Sequence, residues 1–384
     1  MKDLLQCRKE IDEIDTELLR LLKKRIDVAG DIALYKLTNN QKVTDAKREQ
    51  TKLHSLELQG RELKLSASFV SDVFKSIMAH TVSYELRYIA EKVNEKSLER
   101  DVSIAHLGTV GTYSHLAASR YIDAYRGKVE LTGCNSFDEI VAAVESGKCD
   151  YGMLPIENSS SGSINEVLDV LQGSCTQIVG ELFYPIDHSI LGCDRVKLSE
   201  ITDVYSHPQP IQQCSHWLKE FLPDVKIHFM ESSSHAIHAV AKLKNRTHVA
   251  IASHNAAAFY NLIPLMDNIA NNIHNYTRFI CVSMTPVAVS ESVQAKTSLS
   301  FTVAKYTPGS LIKVLEAFSK HNLNIVKLIS RPRLAAGHDT WEEIFFADVQ
   351  GNIASPVMTQ ILDDIRTYTS SLKVLGCYPS QDRA

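Results

Sequence analysis

Through the first hundred residues the apolar positions recur at intervals of three and four, the period of an amphipathic helix. This stretch has no proline, and its glycines are Gly30 and Gly60, so it predicts long helices. From Val102 the texture changes. Short apolar runs at Ile104–Leu107, Tyr151–Ile156, Asp203–Tyr205, Lys226–Met230 and Val249–Ile251 each lead through a polar loop into a helical pattern. That alternation predicts an open α/β sheet. From Thr297 the order is strand TSLSFTVA, helix PGSLIKVLEAFSKHN, strands IVKLISRPR and TWEEIFFADVQG, helix SPVMTQILDDIRTYTS and strand LKVLGCYP. This βαββαβ order predicts an α+β, ferredoxin-like unit. The expectation is a multidomain chain: an all-α helical bundle over 1–95, an α/β domain over 102–286 and the α+β unit over 297–380.

The helical segment carries charges where a core belongs. With Arg25 at zero on a wheel of about 100° per residue, Ile11, Ile14, Leu18, Leu22, Ala29 and Ile32 fall within about 60° of it. Lys36 lies about 20° away, three turns on, while Arg8 sits about 100° off, on the flank of the stripe. In the third helical stretch Val70, Phe74, Ile77 and Tyr88 share a face with Thr81 and Glu85. Between them, TDAKRE opens a second helix and sets Asp45, Arg48 and Glu49 on one face. Long Arg and Lys stems can snorkel from the end of a bundle. Unpaired buried charge is costly, however, so this many on one stripe ask for a ligand. Cations converging at Arg25, Lys36 and Arg48 suit a molecule with two carboxylates. Asp45 and Glu49 would steady those cations and bind ligand hydroxyls.

Composition narrows the partners. At 384 residues the chain exceeds one ordinary core, and 44% hydrophobic with 22% charged residues is typical of a globular protein. A net charge of −4 argues against nucleic acid. The N-terminus has charges every few residues, unlike a signal peptide, and no apolar run approaches the ~20 residues of a membrane span. Eight cysteines are scattered singly, and fifteen histidines show no H-E-x-x-H spacing. A cytoplasmic protein without metal, cofactor or membrane attachment is expected.

On these residues the segment 1–95 resembles the all-helical chorismate mutase family, with Arg8, Arg25, Lys36, Asp45, Arg48, Glu49, Thr81 and Glu85 at the family's substrate-contacting positions. The resemblance implies a pericyclic rearrangement of chorismate to prephenate, with no nucleophile and no general base. Lys36 would donate to the breaking ether oxygen while Arg25 and Arg48 fix the carboxylates. The family module is an intertwined dimer that lends an N-terminal Arg across, a role that fits Arg8, so a homodimer or higher homo-oligomer is implied. Thr81 stands where Ser is common. Glu85 stands where Gln is usual, and a Glu donates only when protonated, which predicts mutase activity rising toward acid pH.

The α/β segment has hydroxyl-rich loops: GTVGTYSHLAA (108–118), PIENSSSGSINEV (155–167), SHPQPIQQC (206–214), ESSSHAI (231–237) and SHNAAAF (253–259). Ser and Thr before a helix are ordinary N-caps, but together the loops would set helix N-termini along one sheet edge, suited to carboxylates. No G-K-[ST] ending marks a P-loop. These loops and NYTRFICV (275–282) are similar to the prephenate dehydratase family, with a fold like a two-lobed periplasmic binding protein. The resemblance implies that Thr277 assists the leaving hydroxyl, and that Thr112, Asn158, Ser159, Ser160, Ser206, Gln213 and Arg278 are substrate-binding candidates. Thr109 stands where the family usually has Pro.

Residues 297–380 resemble the ACT domain. Its loop TPGSLIKVL and strand motif LISRPR give Gly309, Ser310, Leu311, Ser330, Arg331 and Pro332 as effector-binding candidates. The implied effector is L-phenylalanine, although Ser310 replaces Ala and Ile329 replaces Glu of the phenylalanine-regulated pattern. A different reading makes the chain a ligand-binding regulator with a degenerate helical dimeriser. Arg25, Lys36, Arg48 and Thr277 speak against it, because a sensor has no need of them.

Overall fold

In the computed structural model, which describes residues 3–39, 41, 43, 45–272, 274–291, 293–303, 308–334 and 341–381, three helices fill the first hundred positions. They are α1 (Leu4–Thr38), α2 (Ala46–Glu62) and α3 (Ala67–Val93). Asp3, Asp45 and Ser66 cap them by accepting from backbone N–H groups of the first turn. Gly60 lets α2 approach α3, since a Cβ there would meet Val70 Cγ2 at 2.6 Å. Two compact units result: Met1–Leu98 with Val287–Ala295, and Glu99–Pro286 with Lys296–Arg383. In the first, Ala33, Val43, Leu86, Ile89 and Val293 form the core. The returning segment is fastened where Asn94 Oδ1 accepts from Ala288 N (2.7 Å) and Asn94 Nδ2 donates to Ala288 O (3.0 Å).

One expectation fails within the single chain. The stripe of α1 is not buried: Ile11, Ile14, Leu18, Leu22 and Ile32 are 38–59% exposed, and only Ala29 and Ala33 of that helix are buried. The contacts of α1 with α3 run through its C-terminal half, at Arg25–Thr81 and Lys36–Glu85, and the core of this unit draws on Ala33 and Leu37 of α1.

The second unit begins with β1 (Val102–Leu107), α4 (Tyr113–Ile122), β2 (Val129–Cys134), α5 (Phe137–Glu145), β3 (Tyr151–Asn158), β4 (Gly162–Ser163), α6 (Asn165–Gly173) and β5 (Gln177–Pro185). It continues through β6 (Ser189–Gly192), β7 (Asp203–Ser206), α7 (Pro208–Gln213), α8 (Ser215–Phe221), β8 (Lys226–Phe229), α9 (Ser233–Leu243), β9 (His248–Ala252), β10 (Ile263–Met266) and β11 (Tyr276–Ser283). One sheet is ordered β2-β1-β3-β11-β5 and the other β10-β6-β9-β7-β8. The chain crosses from β5 to β6 and returns from β10 to β11, giving two α/β lobes as in a periplasmic-binding-like fold. The single row of loops expected from the sequence is therefore divided. Loops 108–118 and 155–167 follow strands of the first sheet, and the other three follow β7, β8 and β9. Strand β11 returns antiparallel between β3 and β5, a placement that strand–loop–helix texture cannot signal.

A third sheet, β13-β14-β12-β15, is built from β12 (Ala295–Val303), α10 (Ser310–Lys320), β13 (Ile325–Leu334), β14 (Trp341–Gln350), α11 (Pro356–Arg366) and β15 (Thr369–Pro379). Thr307 and Thr340, at the edges of the two C-terminal motifs, lie outside the described residues. One face packs under its helices through Leu299, Phe301, Val314, Phe318 and Ile361. The other joins the first lobe, where Ile344, Phe346, Leu375 and Tyr378 share a core with Ile156, Leu168, Ile178 and Ile280. The two approach so closely that a Cβ at Gly376 would lie 2.1 Å from Ile178 O. Gly376→Ala is expected to destabilise this unit by roughly 1–3 kcal/mol through overpacking, read as a melting midpoint lower by several degrees. An unchanged midpoint would contradict this account of the contact.

Candidate active sites

In the helical unit, α1 and α3 bring four of the candidates together. Lys36 Nζ donates to Glu85 Oε2 (2.6 Å) and to the carbonyl of Val43 (2.8 Å). Three turns back along the same stripe, Arg25 Nη1 donates to Thr81 Oγ1, which in turn donates to Ile77 O (2.8 Å). Glu85 and Thr81 are buried while Arg25 and Lys36 are half-buried, so the stripe's charges are held by partners across the helix pair. In this contact the Glu85 carboxyl oxygen is the acceptor.

The α2 candidates stand apart from that cluster. The Asp45 carboxylate accepts from Arg48 N (3.0 Å) as the cap of α2. Among the described residues it is engaged by the helix terminus and not by a cation, the first turn having N–H groups with no helical partner. Arg48 is exposed and Glu49 half-buried; Asp45 and Arg48 line a shallow depression with Thr51 and Ser55. Arg8 is exposed on α1.

In the α/β lobes the candidates meet on the strand pair β3–β11, where Thr277 lies opposite Asn158 and also opposite Tyr184 of β5. Asn158 is buried and spends both ends of its amide. Its Nδ2 donates to Thr277 Oγ1 (3.0 Å) and Asn275 Oδ1 (2.8 Å), and its Oδ1 accepts from Ser160 N (2.9 Å) and Ser161 N (3.0 Å). Ser159 Oγ accepts from Tyr276 N (2.9 Å). The result is a loop cinched around the Thr277 hydroxyl, whose oxygen accepts from Asn158 and whose proton remains to be donated. The second lobe reaches this loop where Gln209 Nε2 lies 3.5 Å from Ser161 Oγ.

The remaining dehydratase-type candidates divide. Gln213 Oε1 lies 2.7 Å from His188 Nε2, and His188 Nδ1 lies 3.2 Å from the hydroxyl of Tyr113, which donates to Asp187 O (2.5 Å). Burial lowers the pKa of His188, against hydrogen bonding from Gln213 and the charge of Asp187. Burial, then Asp187, raises Tyr113 well above the usual tyrosine range. Thr112 is the N-cap of α4, accepting from His115 N (3.2 Å). Ser206 is fully buried and donates to Ile251 O (3.1 Å). Arg278 is not with this group. Alternation along β11 turns it to the other face of the sheet, where Glu181, Asp348 and Tyr378 bind it at 2.8, 2.6 and 3.0 Å.

In the C-terminal sheet Gly309 has φ 81° and caps α10, with Ser310 buried behind it. Cross-strand register aligns Thr302 with Ile344 and Ile344 with Arg331, so the end of β12 that leads to Gly309–Leu311 and the segment Ser330–Pro332 share one end of the sheet. Ser330 and Pro332 are exposed; Arg331 turns inward to Asp169 (Nη2 to Oδ2 2.5 Å).

Sequence reasoning missed Asn275, Tyr113 and His188. Asn275 and Tyr113 lie inside motifs singled out above, and polar residues flanking a site motif were the available signal. His188 is an isolated histidine with no spacing to mark it.

Residues 7–86 match the chorismate mutase type II family, and residues 104–286 match the prephenate dehydratase family. A bifunctional chorismate mutase/prephenate dehydratase of Enterobacter agglomerans is 39% identical over 99% of this chain and 96% of its own length. The one of Escherichia coli (strain K12) is 38% identical over 99% and 97%, and that of Aquifex aeolicus 32% identical over 99% and 98%. Among solved structures, the prephenate dehydratase of Arthrobacter aurescens in complex with L-Phe has a TM-score of 0.65 at 25% identity, covering 73% of this chain and 90% of its own. GqqA, described as a novel type of quorum quenching acylase, has a TM-score of 0.64 at 28% identity, covering 73% and 98%.

Beside the cleft loops His106 and His115 stack edge to face at 5.1 Å, and His115 meets Phe259 at 5.3 Å. Burial lowers both imidazoles, His115 to about 4 with help from His106. The unfolded chain takes up protons below about pH 6.5 that folded His115 refuses until about pH 4, so stability is lost as pH falls through that window. His115→Gln is expected to flatten the pH dependence of the α/β unit's unfolding free energy between pH 6.5 and 4 by roughly 2–3 kcal/mol. An identical slope in both proteins would rule the assignment out.

Proposed function

The chain belongs to the bifunctional chorismate mutase/prephenate dehydratase family, and on that premise we propose which residues carry each reaction. The enzyme converts chorismate to prephenate and prephenate to phenylpyruvate, a rearrangement and then an aromatisation in phenylalanine biosynthesis. We assign the mutase to 1–95, the dehydratase to 102–286 and effector sensing to 297–380, in a cytoplasmic protein. Among the described residues no helix is long and apolar enough to cross a membrane, and no cysteine is in a disulfide.

For the mutase, a pericyclic shift leaves the protein only electrostatic work. A lysine ammonium has three donors; Lys36 uses two on Glu85 and Val43, which leaves one for the ether oxygen as the C–O bond breaks. Arg25, steadied by Thr81, and Arg48 would fix the two carboxylates, with Asp45 and Glu49 near the ligand's hydroxyls. A positioned donor is worth ~3–4 kcal/mol in the transition state. The uncovered apolar stripe of α1 supports a homodimer in which a second copy lies along it and supplies Arg8.

For the dehydratase, the C–OH bond breaks as the ring carboxylate leaves as CO₂, and the released electron pair completes the aromatic ring. The departing hydroxide needs a proton. The observation that carries this reading is Asn158 donating to Thr277 Oγ1, which occupies a lone pair of the hydroxyl oxygen and leaves its proton for the leaving group. Thr277 is thereby a donor or relay to the leaving group, with Ser159, Ser160 and Gln213 around the substrate and Tyr113 and His188 behind Gln213. Thr112 and Ser206 shape the loops, and Arg278 braces β11 from behind. The effector proposed for Gly309–Leu311 and Ser330–Pro332 is L-phenylalanine, taken between paired C-terminal sheets. Exposed Val326 and Leu328 on the edge strand β13 and Ile312 on α10 favour such pairing.

Two experiments test these assignments. Thr277→Ala should lower dehydratase turnover by at least ~10²-fold and spare the mutase, while Arg8→Ala should do the reverse. If Thr277→Ala removes both activities, the separation of sites is wrong. A carboxyl donates only in its neutral form, so mutase activity should rise as pH falls from 8 to 5. Glu85→Gln should show a flat profile, and matching flat profiles in both proteins would refute the role given to Glu85.

A further inference from the structure

Next to the cross-strand pair Thr277–Asn158 on β3–β11 is the pair Arg278–Glu157. Alternation places the first pair toward the cleft and the second on the opposite face, against the C-terminal sheet. There a second pair in register, Lys327 of β13 and Asp348 of β14, meets them. Lys327 Nζ lies 2.9 Å from Glu157 Oε2, and Arg278 Nη1 donates to Asp348 Oδ2 at 2.6 Å. Four alternating charges thus form a square with two corners on the catalytic strands and two on the C-terminal sheet.

The surroundings hold this square tightly. Glu181, fully buried, accepts from Arg278 Nε (2.8 Å) and from Lys296 Nζ (2.7 Å). Ser298 Oγ donates to Asp348 Oδ1 (2.5 Å), and Tyr378 lies 3.0 Å from Arg278 Nη2. All four strands of the C-terminal sheet therefore contribute: Lys296 and Ser298 from β12, Lys327 from β13, Asp348 from β14 and Tyr378 from β15. Burial pushes the Asp348 carboxyl up, but Arg278 and Ser298 outweigh it and keep the group below its ordinary range. A narrow cavity lined by Ser298, Lys327, Ile329 and Asp348 adjoins the square on the side of the C-terminal sheet. Lys327 also lies three residues from Ser330 on the same strand.

We propose that the Glu157–Lys327 and Arg278–Asp348 pairs couple the C-terminal sheet to the dehydratase site, with Lys327 as the positioning residue that moves. A ligand drawing on Ser330–Pro332 shifts β13, Lys327 exchanges Glu157 for Asp348, and the β3–β11 pair carrying Asn158 and Thr277 on its other face is displaced. None of the four touches substrate. The inference rests on the site and the effector assigned above, and it names a connection that those assignments do not contain.

The test uses the full-length protein with L-phenylalanine as the probe. In Lys327→Met, dehydratase kcat should fall at least ~10-fold with KM for prephenate within about threefold. The phenylalanine concentration for half-inhibition should rise at least ~10-fold. Mutase activity should stay within about twofold as the folding control, and Lys327→Arg should restore both properties. The proposal is overturned if Lys327→Met and Glu157→Gln each keep kcat and phenylalanine response within about twofold. It is equally overturned if kcat falls while the phenylalanine response is unchanged, the signature of a merely structural role. Should both variants lose their fold, hydrogen exchange on the wild-type protein decides: phenylalanine must change protection at 156–159 and 276–279, and no change there ends the idea. The dehydratase assignment fails by a separate result, full activity in Thr277→Ala.

Discussion

A guanidinium removed from water must be matched nearly atom for atom, or the fold that buries it cannot form. Arg278 is 5% exposed, and its partners come from β5, β14 and β15. The first lobe and the C-terminal sheet are thereby held in one register, since a slip of either would leave a buried charge without its partner. Apolar packing between Ile178, Ile280, Phe346 and Leu375 supplies much of the attraction, but it is non-directional. The ion network makes the arrangement specific, and the bare backbone of Gly376 permits the approach.

Strand alternation then ties that interface to chemistry. Thr277 and Arg278 are adjacent on β11, so the hydroxyl on one face of the sheet and the charge on the other are positioned by one backbone. Asn158 and Glu157 repeat the relationship on β3. The proposed coupling would let such a site be adjusted from the face away from substrate, which suits an enzyme whose product pathway ends in its proposed regulator.

The helical unit follows a different rule. Its charges are spread over α1 and α3 and are satisfied in pairs, Lys36 with Glu85 and Arg25 with Thr81. The apolar stripe that continues along α1 is left uncovered by its own chain. Such a stripe on a helix ~52 Å long has no economical place in a monomer, and the proposed dimer resolves it together with the isolated position of Arg8.

Local pattern determined a good deal by itself. The three helices, the βαββαβ order of the C-terminal sheet, and the loops that carry Asn158, Ser159 and Thr277 follow from periodicity and from motifs whose meaning is local. The charges on the α1 and α3 stripes were visible for the same reason, because a helical wheel needs only spacing. Tertiary structure decided what spacing cannot express: that β11 inserts between β3 and β5, that the hydroxyl-rich loops belong to two sheets, and that Asp45 serves a helix end. It also decided the opposite fates of Thr277 and Arg278. Adjacent letters in a motif look alike to a sequence reader, but in a strand they point to opposite faces, and which face meets substrate and which meets Asp348 depends on elements seventy residues away.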